Sequence, residues 1–239
     1  PEIVQAGKKY LDAALEAVYA ELRSLKAPSH AFRDRLLTDL IPPSVVKSII
    51  AIEHMSGSTL ITGDEEKFLN MFYTILATNK HEAYAYAKSS QSAFGLVQFI
   101  PRTYKNIAAL RPDLLLPKDF EKAMADPFMA IKAEIGFLDN NLMLLPKEIR
   151  DNNGHDPKMT GKYLAAMYNG GPTRVRKAIK FWGADWDKNH AAELNQWQKE
   201  GNKAKYAAGS AAKLKRETYF YLLKYELVYN HFAGGMNSH

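Results

Sequence analysis

Residues 42–57 read Pro42-Pro43-Ser44-Val45-Val46-Lys47-Ser48-Ile49-Ile50-Ala51-Ile52-Glu53-His54-Met55-Ser56-Gly57. Pro43 suits the first turn of a helix, where its missing N–H has no partner to lose. Val46, Ile49 and Ile50 then form one apolar face, and Gly57 is expected to close the helix. Glu53 follows Val46 by seven positions, Ile49 by four and Ile50 by three. It therefore projects from the apolar face, among side chains that bury. Burial disfavours a charged carboxylate and raises its pKa, which is what a general acid working near neutral pH needs. The plainer reading is a buried Glu paired with a Lys or Arg, or one at the rim of the core.

Helical periods extend outward on both sides. Val4, Leu11, Leu15, Val18, Leu22 and Leu25 make one stripe that Pro28 ends. Asp64, Glu65 and Glu66 look like an acidic helix start before Phe68, Leu69, Phe72, Ile75 and Leu76. Residues 89–95 read as a loop, and Pro101 opens a short helix to Leu110. Further helices are predicted over Asp126–Leu145, Met159–Tyr168, Thr173–Trp182 and about Ala211–Phe232. No stretch alternates with period two for long; Tyr84-Ala85-Tyr86-Ala87 is the nearest. The expected fold class is all-α or nearly so.

The chain has 239 residues, 46% of them hydrophobic and 24% charged, so it is long enough for a sizeable core. No run approaches the roughly 18 apolar residues of a membrane span. With no cysteine, thiolate metal sites, disulfides and cysteine nucleophiles are excluded. The seven His residues show no paired metal spacing, His155 and His190 being isolated. A net charge of +6 suits an anionic polymer without choosing one. Arg174, Arg176, Lys177 and Lys180 raise nucleic acid as a partner, although a solvated helix face is the plainer reading. Lys199–Lys215 reads as a solvated connection, and Trp182, Trp186 and Trp197 as packing residues. Tyr221, Tyr225 and Tyr229, at steps of four, are expected to form a core stripe with one edge at a cleft.

Two further segments carry polar groups beside apolar ones. Gly95-Leu96-Val97-Gln98-Phe99-Ile100-Pro101-Arg102-Thr103 joins a close-approach glycine to a Gln with one donor and one acceptor. Ala166-Met167-Tyr168-Asn169-Gly170-Gly171-Pro172 ends one helix in a tight turn that displays Tyr168 and Asn169. Each alone is an ordinary cap or turn. In this order, together with Asp126-Pro127…Ile131…Phe137-Leu138 and Glu217-Thr218-Tyr219-Phe220-Tyr221, they resemble the catalytic domain of soluble lytic transglycosylases, within the goose-type lysozyme superfamily. The family shows Glu-Ser, then Gly-Leu-Met-Gln-x-x-Pro-x-Thr, then Ala-Tyr-Asn-Ala-Gly-Pro. Here His54 stands for Ser or Thr, Val97 for Met, Gly170 for Ala, Tyr219 for Arg and Glu134 for Gly. Glu53 and Gly95 are 42 positions apart, more than is usual in the family, so 58–88 is read as an inserted helix or lid.

The resemblance implies a lysozyme-like helical domain over 42–233, with 1–41 as an N-terminal helical segment packed on it and 234–239 as a disordered tail. It implies cleavage of the β-1,4 bond between N-acetylmuramic acid and N-acetylglucosamine in peptidoglycan, without metal or organic cofactor. Glu53 is then the acid and base, and Gly95, Gln98, Tyr168, Asn169 and Tyr221 line the site, with Ser92 a further candidate contact. A hydrolase of the same fold needs a second carboxylate to activate water, and Asp64, Glu65, Glu66 and Glu82 are the candidates. Extra acids such as Glu134 raise preference for de-N-acetylated glycan. A non-catalytic glycan-binding module is the alternative from another class. The implied setting is periplasmic or secreted in a bacterium, or phage-encoded, acting as a monomer with no nucleic acid partner.

Overall fold

The computed structural model describes residues 1–89, 92–153, 155–187 and 214–234. Among these it is helical, with no strand and three isolated β-bridges, Pro28–Leu36, Lys88–Phe94 and Phe94–Phe99. The helices are α1 (Glu2–Ser24), α2 (Pro43–Glu53), α3 (Gly57–Thr62), α4 (Glu65–Asn79), α5 (Pro101–Leu110), α6 (Phe120–Ala125), α7 (Pro127–Leu144), α8 (Lys147–Asp151), α9 (Pro157–Gly170), α10 (Pro172–Trp182) and α11 (Arg216–Gly234). The all-α expectation is met. No helix of the described residues is long and apolar enough to cross a membrane.

Helix ends depart from the sequence reading where a polar cap overrides the apolar stripe. Asp126 is an N-cap that accepts from the Phe128 and Met129 amides, so α7 starts at Pro127. Asp156 caps α9 through the Met159 amide, which moves its start back to Pro157. Gly57 does not close α2. That helix ends at Glu53 with His54 as C-cap, and Gly57 opens α3. Of the expected last helix, 211–213 lie outside the described residues, as do His190, Trp197, most of the Lys-rich stretch and 235–239 of the tail, while Gly234 ends α11.

The architecture is built around α7, which is buried on all sides and touches α1, α2, α5, α6, α9 and α10. Helix α1 lays its stripe on α4 and α7. The approach to α4 is so close that a Cβ on Gly7 would lie 1.9 Å from the Tyr73 carbonyl oxygen. Helix α11 packs on α2 and α9. A buried ion pair fastens the N-terminal segment to this core. Arg111 and Asp139 meet at 2.8 Å with both side chains fully buried. Asp139 also accepts from Ser29 Oγ at 2.6 Å and the His30 amide at 2.7 Å, and Arg111 reaches the Pro28 carbonyl at 2.9 Å. With both Asp139 oxygens hydrogen-bonded, the pair orders the segment, and loss of one member would cost about 3–5 kcal/mol.

Candidate active site

Glu53 ends α2 where α2, α9, α11 and the Gly95–Phe99 turn converge. Its apolar predecessors Ile49 and Ile50 are fully buried, while Glu53 itself keeps some exposure. Helix α11 supplies its two polar partners from one face. Tyr221 donates its hydroxyl to Glu53 Oε1 at 2.6 Å. Lys224, three residues on, donates to the Met55 carbonyl and sets a positive charge near Glu53. Burial pushes the Glu53 carboxyl up to about 7, against the Tyr221 hydrogen bond and the Lys224 charge, which pull it down. At neutral pH the group is poised between acid and base.

The wall beside it is the Gly95–Phe99 turn. Gly95 has φ +77°, and a Cβ there would lie 2.1 Å from the Met124 carbonyl oxygen. The glycine serves close backbone approach. Gln98 turns its amide inward, Nε2 donating to the carbonyls of Ala87 at 3.0 Å and Gly95 at 2.8 Å. Tyr168, from α9, donates to the Val97 carbonyl and stacks on Phe99 with ring centroids 5.4 Å apart. Its ring lies 6.4 Å from that of Tyr221 and nearly parallel to it. Glu53, Tyr221, Tyr168 and the turn therefore form one group.

Other candidates lie further out. Asn169 is exposed at the end of α9 and accepts from Thr218 Oγ1 at 2.9 Å. Ser92 is exposed in the preceding loop, its amide bonded to the Ser89 carbonyl at 3.0 Å. Asp64, Glu66 and Glu82 are exposed and Glu65 is half-buried; Asp64, Glu65 and Glu66 sit at the start of α4, where acidic charge favours the helix N-terminus. Lys224 sets a positive charge that lowers the Glu53 pKa.

His54 joins the end of α2 to the stretches around Tyr84 and Leu96. Its ring stacks on Tyr84 at 3.8 Å, and Nε2–H donates to the Leu96 carbonyl at 2.8 Å. Burial lowers its pKa to about 4, against the pull of that hydrogen bond, so it stays neutral at pH 7. Trp186 is fully buried against Tyr163, as a packing residue.

Glu134 is fully buried on α7, and neither of its oxygens has a hydrogen-bond partner. Burial and the nearby Glu53 charge both raise its pKa well above the ordinary value. With no exposed surface it does not meet a substrate amine, which corrects the reading of Glu134 as a reader of de-N-acetylated sugar. Sequence reasoning missed Lys224, and its signal was the three-residue step from Tyr221.

The model of the transglycosylase SLT domain matches residues 67–190, a little over half of the chain. The match takes in the Gly95–Thr103 and Ala166–Pro172 segments; Glu53 precedes it and Tyr221 follows it. Searches of curated proteins and of solved structures found no match. The chain belongs to the SLT transglycosylase family, whose helical, lysozyme-like domains cleave glycosidic bonds of peptidoglycan.

Proposed function

We propose that the chain cleaves the β-1,4 bond between N-acetylmuramic acid and N-acetylglucosamine with Glu53 as its only acid and base, leaving 1,6-anhydromuramoyl ends. The observation that carries this reading is the Glu53 carboxyl, held up to about 7 by burial and oriented by Tyr221. Tyr221 occupies Oε1, so Oε2 is the oxygen that serves the substrate. It protonates the glycosidic oxygen as the bond to C1 breaks. The resulting carboxylate, offset by Lys224, then takes the proton of the muramoyl C6 hydroxyl as that oxygen closes on C1. One group works in both directions because its pKa lies near the working pH.

A hydrolase would instead need a carboxylate able to activate water on the far side of the sugar. Asp64, Glu66 and Glu82 are exposed and Glu65 lies in the first turn of α4, where acidic charge serves the helix N-terminus, which favours the single-acid reading. Tyr168, Gln98 and Gly95 shape the wall of the cleft, and Asn169 and Ser92 contact the glycan or its peptide further along it. The substrate assigns this work to the outside of the cytoplasmic membrane, in the periplasm or after secretion.

Mass spectrometry of muropeptides released from purified sacculi tests the proposal. Products lighter than the hydrolysed ones by one water support it. Reducing ends would overturn the single-acid mechanism in favour of a lysozyme, and no release at all would favour a binding module.

A further inference from the structure

Tyr86 is 81% exposed, more than any other large apolar side chain of the described residues. Its neighbours show that this is not the exposure of a loose loop. Ala83 and Ala85 are buried, and Tyr84 packs its ring on His54, so the segment is anchored to the core while Tyr86 stands off it. The backbone is fixed on both sides. The Ala85 amide donates to the Glu82 carbonyl at 3.0 Å, and the Ala87 amide to the Tyr84 carbonyl at 2.9 Å. The Ala87 carbonyl then accepts twice from the Gly95–Phe99 turn, from the Gly95 amide at 3.0 Å and from Gln98 Nε2 at 3.0 Å. Tyr86 thus sits one residue from the bolt that joins Ala87 to the Gly95–Phe99 turn.

An exposed aromatic ring on a held backbone loses little freedom when it meets a ligand, because only two side-chain torsions remain to be ordered. Its flat apolar face and polar tip match a pyranose ring, which offers C–H groups on one face and hydroxyls at its edge. We propose that Tyr86 is a stacking platform for a sugar of the glycan strand beyond the scissile bond, making the segment around it an extra saccharide subsite that favours long strands. This rests on the reading of the chain as a glycan-cleaving enzyme with Glu53 as its acid. The residue touches the strand away from the reacting atoms, so its effect falls on binding.

The experiment measures retention of long glycan strands, stripped of peptide by an amidase, on the non-cleaving Glu53→Gln protein, with and without Tyr86→Ala or Tyr86→Trp. The expected result is binding weakened roughly three- to tenfold by Tyr86→Ala, the worth of one aromatic contact, and restored by Tyr86→Trp. With Glu53 intact, Tyr86→Ala should raise KM on long strands and leave kcat unchanged. Equal binding of both Tyr86 variants and their parent overturns the subsite while leaving the Glu53 reading intact. Failure of the parent to bind strands at all overturns both. A change of oligomeric state in Tyr86→Ala at unchanged strand affinity would mean that a second copy of the chain covers the ring, and also overturns the subsite.

Discussion

The Tyr221 hydroxyl and the Glu53 carboxyl meet at 2.6 Å across 168 residues of chain. The bond joins the ends of the sequence reading, the apolar-face acid of α2 and the tyrosine stripe of α11. It stabilises the carboxylate, so it opposes the burial that holds the group up to about 7. Tyr221→Phe should therefore raise that pKa further. The alkaline limb of the pH–activity profile on sacculi is expected to move up by about one pH unit, with kcat falling roughly tenfold as Oε2 loses its orientation. A limb that moves down would show that Tyr221 favours the protonated acid instead.

Glu53→Gln should remove activity and add stability. One acid–base group is worth about 10²–10⁴ in rate, so turnover of sacculi should fall by about three orders of magnitude. The stability sign follows from the pKa raised from 4.5 to about 7. Below 4.5 the group is protonated in both folded and unfolded chains, and its contribution is fully present. As pH rises toward 7 the unfolded chain ionises first, and about 3 kcal/mol is lost, less whatever solvent screens at this partly exposed group. Gln carries no such pH dependence. The melting temperature of the variant should thus exceed the parent's by several degrees at pH 8 and converge with it near pH 4, as calorimetry would show.

Glu53 was legible because a carboxylate at helical spacing from Val46, Ile49 and Ile50 contradicts its own face. The acidic start of α4 was legible as well, since Asp64, Glu65 and Glu66 sit where a helix dipole favours them. Gly57 was not, because glycine suits a helix end and a new start alike, and the choice was made by the break at His54. The stack of His54 on Tyr84 joins residues 30 positions apart in the chain, and no local period reports that. The fate of Glu134 was hidden for a different reason. A helix buried on every side has no blank face, so its pattern cannot say which polar residue is in the core.

Glu134 is a stability defect that the fold carries at its centre. Burial and the Glu53 charge hold its carboxyl well above the ordinary range, and an unsatisfied buried polar group costs about 1–3 kcal/mol. Glu134→Met keeps the volume and removes the polar atoms. It should raise the urea midpoint with an unchanged slope, by more at pH 8 than at pH 5, because the raised pKa of Glu134 makes its contribution fall as pH rises. Destabilisation at both pH values would mean that the two oxygens are satisfied within the core.

Gly95→Ala and Gly63→Ala separate two costs of replacing a glycine. Both glycines have positive φ, +77° at Gly95 and +71° at Gly63. At Gly63, the left-handed cap of α3, a Cβ would meet nothing within 4 Å, so only the backbone cost of about 1–2 kcal/mol applies. At Gly95 the same Cβ would fall 2.1 Å from the Met124 carbonyl oxygen, and either α6 or the turn must move. That overlap adds about 1–3 kcal/mol. Gly95→Ala should therefore lower stability about twice as much as Gly63→Ala in urea titrations. It should also lower activity at temperatures where the variant is still folded, because the same turn holds the Val97 carbonyl against Tyr168 and the Ala87 carbonyl against Gln98. Gly63→Ala, distant from that turn in the chain, should leave kcat unchanged.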